Sequence, residues 1–408
     1  MAEGGIEPED VLDSRYSWFR MGISFLLGAI GIAGIWAVAV VMPEVQAEFG
    51  LDRSGATLSY IVTMVGFAIG NVLIGRFVDR YGIVLPLQFA GCALGAGLVA
   101  ASFAQDFRFF LALQFLVGLG ASTSFSPMMA DISHWFLKRR GIAVAIAATG
   151  SYIGGALWPL IVGVLTAAAD WRLAYLVLGI VSFVTLIPLS LLLRRRPPAL
   201  AAASAPQAPS GATRSIALSP AGLQWLLVAA GITCSAAMAM PHSQLVAMSS
   251  DLGFSIAEGA AMMSLVFVGG AVSRLVFGLL ADRLGGLATV LLGSALMAAS
   301  LFLYLPFDTL WVLYMASLAF GLAHGGIIPS LVVIVREYLP AREAGRRVGV
   351  VITSTVAGVT IGSWLFGWLR DFTGSYQAAF LTSIGANLVT IAVLILLRWR
   401  ERPDIAAR

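Results

Sequence analysis

The chain is 408 residues long, 59% hydrophobic and 11% charged, with a mean hydropathy of +0.91. A soluble domain carries roughly a quarter of its residues as charges, so a water-soluble globular fold is excluded and the chain reads as a polytopic membrane protein. Its 25 basic residues against 21 acidic ones do not mark a nucleic-acid binder, because the charges sit in short loops between long apolar runs, and Cys92 and Cys234 lie inside such runs, in no disulfide or zinc-binding pattern.

Residues 1–16 are polar, form a short tail and show no cleavable signal. Apolar runs of the roughly 20 residues needed to cross a bilayer core then recur. They lie near 18–42, 56–77, 84–104, 108–136, 141–168 and 172–193, and again near 220–249, 258–280, 287–306, 309–336, 346–369 and 375–397. Between the two sets, Arg194-Arg195-Arg196-Pro197-Pro198 leads into a Pro-, Ala- and Ser-rich stretch with the composition of a flexible or extended linker. The expected organisation is all-α and membrane-embedded. It comprises a tail (1–16), a six-helix bundle (17–193), a linker (194–219), a second six-helix bundle (220–397) and a second tail (398–408).

Basic residues on one side of the spans set the orientation. Twenty of the 25 fall in segments on the same side as the termini, only Arg53, Arg108, Arg172 and Arg370 fall on the other, and Arg274 lies within a span. Both termini are therefore expected in the cytoplasm, with the chain in the plasma (inner) membrane.

The two halves repeat each other at an offset of 203 residues. Gly75-Arg76-Phe77-Val78-Asp79-Arg80-Tyr81-Gly82 matches Gly278-Leu279-Leu280-Ala281-Asp282-Arg283-Leu284-Gly285, and Glu48-Phe49-Gly50 matches Asp251-Leu252-Gly253. Parallel six-helix repeats joined by a linker form one large transporter class, with the substrate site near the midplane where the halves meet.

The doubled Gly-x-x-x-Asp-Arg-x-Gly loop resembles the signature of the major facilitator superfamily, and the likeness in helix number, linker and repeat covers the whole chain. It implies two pseudo-symmetric six-helix bundles. It also implies a role in conformational cycling for Asp79, Arg80, Asp282 and Arg283, with Gly75, Gly82, Gly278 and Gly285 letting helices approach; Asp131 is expected as a partner for Arg80. A narrower resemblance starts at Trp135-Phe136-Leu137-Lys138-Arg139-Arg140, which leads through small residues to Gly150, Tyr152 and Gly154. This stretch is similar to the entrance of the fifth helix in monocarboxylate transporters. Pro241-His242, the run to Ser255, and Ser273-Arg274 resemble that branch and the oxalate/formate antiporters beside it. In those relatives the eighth-helix Arg binds the substrate carboxylate. The chain departs from them in three ways: Gly270 stands where human-type carriers have an Asp, the first span has no Lys, and Val351 to Leu369 lacks the antiporter's Lys. The coupling mechanism therefore does not carry over.

Arg274 is the residue around which a site can be built. A guanidinium at the centre of a membrane helix costs roughly 2.5–3.5 kcal/mol, which marks such residues as parts of substrate or ion pathways. Counting 1.5 Å of helix rise per residue puts Arg274 roughly 13 Å from the inner boundary, and Tyr152 and His324 at about 18 Å. The guanidinium fork suits a carboxylate, and a phenol or imidazole supplies further donors. One deep cation balances one negative charge, which favours a monocarboxylate; the resemblance disfavours nitrate, because nitrate carriers of that superfamily have a second Arg in the second helix and the repeat equivalent of Arg274 here is the neutral Asn71. The plainer readings are an interhelical ion pair for Arg274 and hydrogen bonding across a tight glycine contact for His324. His242 reads equally as gate, proton acceptor or packed core residue. Trp36, Phe125, Trp158, Phe320 and Trp364 read mainly as packing.

Every Asp and Glu falls at a loop or helix end. A proton then travels on His242 or His324, or with the substrate, or not at all. The expected function is a secondary active transporter for a small organic anion, a lactate- or pyruvate-like monocarboxylate, working by alternating access with proton symport. The alternatives are an anion exchanger for an oxalate/formate-like dicarboxylate or a nitrate-like ion, and a non-transporting membrane sensor. Nothing suggests an enzyme, cofactor, metal or nucleic-acid partner; the expected partners are the anion, protons and the lipid bilayer, with the protein working as a monomer.

Overall fold

The computed structural model describes residues 12–124, 126–136, 139–195, 216–305, 309–339 and 343–401. The first half comprises α1 (Arg15–Gly31), α2 (Ala33–Glu48), α3 (Arg53–Tyr81), α4 (Val84–Ser102), α5 (Phe107–Ala121), α6 (Ser126–Ser133), α7 (Arg140–Ala168) and α8 (Trp171–Leu191). The second comprises α9 (Pro220–Asp251), α10 (Ile256–Leu284), α11 (Gly286–Phe302), α12 (Leu310–His324), α13 (Ile327–Tyr338), α14 (Ala344–Thr373) and α15 (Gln377–Trp399). Among the described residues eleven helical spans are long and apolar enough to cross a membrane, and α11, at 17 residues, is a shorter twelfth.

Helix is the form these runs must take, since hydrocarbon offers backbone groups no partner outside their own segment. Side chains at the loop edges start them: Ser14, Asp106, Asp170, Ser219 and Ser255 each accept a backbone N–H three residues on. Ser255 and Glu258 form a reciprocal capping box. Gly82 and Gly285, at equivalent ends of α3 and α10, have φ of +78° and +85°, a backbone state that favours glycine.

Three spans expected to be continuous are interrupted. The first pauses at Ile32 between α1 and α2; the fourth passes through a 3₁₀ turn at Ser122–Ser124; the tenth breaks at Gly325–Gly326. The second and third breaks lie 203 residues apart, so the repeat extends to the interruptions. It extends to packing as well. A Cβ added at Gly118 would fall 2.0 Å from the Thr63 carbonyl oxygen, and one at Gly321 would fall 2.3 Å from that of Val266. The reciprocal contacts, Gly66 on Phe115 and Gly269 on Leu318, obey the same offset. α3 thus crosses α5, and α10 crosses α12, at backbone contact where no side chain fits.

By packing, the chain forms two compact units, residues 1–41 with 62–206 and residues 42–61 with 207–408. In the first, Phe110, Trp171 and Tyr175 pack around Gln114, which accepts from Thr63 at 3.1 Å and donates to Tyr175 at 2.9 Å. In the second, Met238, Val266, Phe320 and Phe380 belong to one buried cluster. Large apolar side chains such as Leu279, Trp225 and Trp311 stay on the outside, as expected where lipid is the solvent. Most of the expected linker (196–215), and residues 1–11 and 402–408 of the tails, lie outside the described residues.

Candidate functional site

α10 buries one side, with Phe267, Gly270, Ser273 and Phe277, and exposes Leu275, Val276 and Leu279 on the other. Arg274 sits half-buried at the border between them. One turn before it the helix touches the break in the tenth span, where a Cβ on Gly325 would fall 2.2 Å from the Gly270 carbonyl oxygen. This contact brings His324, the last residue of α12, beside the middle of α10.

His324 is buried, and its Nδ1 lies 3.1 Å from the Phe320 carbonyl oxygen. A carbonyl only accepts, so Nδ1 carries the hydrogen and Nε2 is the nitrogen able to take a further proton. His242, on α9, places its ring 5.0 Å from that of His324 and stacks on Phe267 at 5.6 Å. Phe320 closes the group, 6.0 Å from His242 and 4.8 Å from His324. Three helices of one unit therefore assemble Arg274, His242 and His324 as a guanidinium and two imidazoles in an aromatic setting. The arrangement offers a two-pronged donor for one carboxylate and two imidazoles with further hydrogen-bonding nitrogens.

Tyr152 belongs to the other unit, on α7, and is half-buried; its neighbours Thr149 and Ser151 spend their hydroxyls on the carbonyls of Ala145 and Ala148 in their own helix. Asn71 donates to the Phe67 carbonyl of its own helix at 2.9 Å. Among the aromatics read as packing, Trp158 donates to the Ala29 carbonyl at 2.7 Å, Phe320 is buried, and Trp364 stays exposed. Phe125 lies outside the described residues. Among the described residues no group of His, Cys, Asp and Glu is arranged to hold a metal.

In the repeated loops Arg80, Asp282 and Arg283 are exposed, and the Arg80 guanidinium lies 5.3 Å from the Tyr81 ring centroid. Gly75 is helical; its surroundings and the Asp79 side chain lie outside the described residues. A Cβ added at Gly278 meets nothing within 4 Å. Asp131 is not the partner of Arg80. It is buried and accepts from Arg20, through Nε at 2.8 Å and Nη2 at 2.9 Å, because α1 and not α3 passes beside α6 at this level. Sequence reasoning counted Arg20 as a topological charge; its place as the third residue of the first apolar run was the available signal. It likewise placed Arg53 among loop charges, whereas the side chain is buried against Asp251.

The profile for the Major Facilitator Superfamily matches residues 24–242 and 225–408 of the chain. Among curated proteins it is similar to Monocarboxylate transporter 13 of Rattus norvegicus, 27% identical over 396 residues that cover 94% of this chain and 90% of that protein. Similarity to Monocarboxylate transporter 11 of Homo sapiens is also 27%, over 92% of this chain and 82% of that one. Among solved structures it is similar to a bacterial homologue of the human lysosomal transporter Spinster in an inward-facing, occupied conformation. The TM-score is 0.74, at 14% identity, covering 95% of this chain and 98% of that one. This likeness concerns the fold.

Proposed function

Because the chain belongs to the major facilitator superfamily, and is thereby a secondary transporter, we propose that its cargo is a small organic anion carrying one carboxylate, lactate- or pyruvate-like. The observation that carries this reading is Arg274, a guanidinium in the middle of an apolar helix beside His324. Its fork holds both oxygens of a carboxylate, and one such cation balances one negative charge. The names of the relatives, monocarboxylate transporters over nine-tenths of the chain, support the same cargo class.

Tyr152 is proposed to add a donor from the other unit as the carrier alternates its access between the two faces. Proton symport is assigned to the His242–His324 pair, whose rings lie 5.0 Å apart, with Nε2 of His324 as the proton-accepting nitrogen. The repeated loops, with Asp79, Arg80, Asp282 and Arg283, are proposed to serve conformational cycling. The carrier is taken to act as a monomer in the plasma membrane with cytoplasmic termini, on the distribution of basic residues.

The test is uptake of radiolabelled lactate and pyruvate into proteoliposomes, with and without an inward proton gradient, joined to thermal-shift screening of small carboxylates. Arg274→Ala is expected to abolish uptake and the stabilising effect of the best ligand. Stabilisation of Arg274→Ala equal to that of the parent would remove the anion-anchor assignment, and uptake indifferent to the proton gradient would remove symport.

A further inference from the structure

At the end of the first unit nearest the N-terminus, basic side chains are gathered that the transport reading does not use. α8 ends at Leu191, and the chain that follows is held against the start of α1. The Tyr16 hydroxyl donates to the Leu192 carbonyl at 3.3 Å, and Arg20 Nη1 donates to the carbonyls of Leu193 and Arg195, at 2.9 and 3.2 Å. These bonds seat the Arg195 guanidinium 4.7 Å over the Tyr16 ring. Arg15 precedes that ring in α1, Arg194 precedes Arg195, and all three arginines are exposed. Among the described residues the side chains of Arg15 and Arg194 form no ion pair. Two carboxylates lie close by. Asp131 is buried and spent on Arg20, and Asp13 turns one oxygen to the backbone N–H of the exposed Arg139, at 3.3 Å. The edge is therefore net positive, and its charges are placed by the fold.

An apolar track leads away from these charges into the membrane. Ile180, Val184, Pro188 and Leu192 follow one another at four-residue spacing, so they share one face of α8 and its cap, and all four are exposed. On α1, Phe19 lies one turn from Arg15 and is also exposed. Ile180 is twelve residues from Leu192, about 18 Å along the helix, which reaches the middle of a hydrocarbon core roughly 30 Å thick. There the track opens into a groove of about 300 Å³ between α4 and α8, lined by Gly95, Ala96, Val99, Ile180, Phe183 and Val184. α4 and α8 close its floor at near-backbone contact, since a Cβ on Gly95 would fall 3.1 Å from the Gly179 carbonyl oxygen. A fixed cationic end joined to an apolar track fits a ligand with an anionic head and a long hydrocarbon tail.

We propose that this edge of the first unit holds one anionic phospholipid. Its phosphate lies among Arg15, Arg194 and Arg195, and one acyl chain follows Leu192, Pro188 and Val184 into the groove beside Gly95. A zwitterionic lipid brings its own ammonium and gains less from the arginines; a free phosphate has no chain for the track. Basic residues that served only to orient the chain would need neither a fixed seat on Tyr16 nor an apolar track beside them. The site lies within one unit and does not involve Arg274 or the cargo.

The experiment is native mass spectrometry of the full chain in detergent, offered phosphatidylglycerol and phosphatidylcholine of equal chain length, with the bound lipids counted. The parent is expected to retain phosphatidylglycerol over phosphatidylcholine about tenfold or more, at about fivefold per arginine beside an anionic headgroup. Arg15→Gln with Arg195→Gln is expected to lower phosphatidylglycerol binding about tenfold or more and to leave phosphatidylcholine binding unchanged. Should that variant fail to fold, Arg15→Gln with Arg194→Gln, which keeps Arg195 on the Tyr16 ring, is expected to give the same loss. Ala96→Phe, which fills the groove from its exposed wall, is expected to weaken phosphatidylglycerol binding severalfold with the arginines intact; unchanged binding there overturns the acyl track. Arg336→Gln with Arg346→Gln removes the same charge from exposed positions in the other unit and is expected to change nothing. An equal loss in that control, or equal binding of the two lipids by the parent, overturns the site. Displacement of phosphatidylglycerol by an equal concentration of inorganic phosphate assigns a free-anion site and overturns the lipid. A preference that appears only once Glu3, Glu7, Glu9 and Asp10 are changed to Gln gives the arginines to the chain's own acidic tail and also overturns it.

Discussion

Removing Asp131 should be among the most damaging single changes at the edge of the first unit. Arg20 is 1% exposed and gives Asp131 two charge-assisted hydrogen bonds, at 2.8 and 2.9 Å. Its Nη1 donates to the Leu193 carbonyl at 2.9 Å, and the guanidinium lies 4.5 Å over the Trp135 ring. In Asp131→Ala the cation keeps the carbonyl and the ring but loses its counter-charge in a place water does not reach. Breaking a buried pair from one side costs about 3–5 kcal/mol, while removing both partners leaves no orphan charge and costs less. At about 2–4 °C per kcal/mol for a domain of this size, the melting midpoint of Asp131→Ala should fall by about 6–20 °C. The assay heats purified protein in one detergent and follows soluble monomer by fluorescence-detected size exclusion. Arg20→Met with Asp131→Ala should recover part of the loss, giving a coupling above about 1 kcal/mol. Arg80→Ala combined with Asp131→Ala should be additive, because those side chains do not meet. A midpoint for Asp131→Ala within about 2 °C of the parent, or additivity with Arg20→Met, would refute the buried-pair argument.

Three other outcomes follow from particular contacts. Gly118→Val and Gly321→Val should each force a helix crossing apart and cost about 1–3 kcal/mol or more, seen as loss of monodisperse protein on purification; normal yield of either would contradict the backbone contact. Gly285→Ala should destabilise by about 1–3 kcal/mol, since φ of +85° with ψ of 162° is a region for glycine alone, while Gly278→Ala, with open space at its Cβ, should leave the midpoint unchanged or slightly raised. Asn387→Leu should cost about 0.6–2 kcal/mol by removing the 2.6 Å hydrogen bond from its amide to the Ser294 carbonyl, which joins α15 to α11; an unchanged melting midpoint would count against it.

Much of this was legible along the chain. Apolar length alone located the spans, because hydrocarbon tolerates only helix over such runs, and the 203-residue offset announced a repeat that the paired glycine crossings and helix breaks obey. Arg274 stood out because a charge inside an apolar run is costly wherever the run packs. The partners of charges were not legible. Arg20 meets Asp131 from 111 residues away, and Arg53 meets Asp251 from 198, distances at which sequence spacing carries no geometric information. Nor was the fate of His324, whose depth was counted along one straight helix that in fact breaks at Gly325–Gly326.

The sequence by itself determined the membrane as solvent, the number and order of the spans, the repeat and the presence of one deep cation, since each is a property of local composition and period. Only the tertiary structure decided that two further arginines are buried, which carboxylates hold them, and that His242 and His324 gather beside Arg274. Those outcomes depend on which helices cross at glycine contacts, and a crossing is a relation between segments that no single segment encodes.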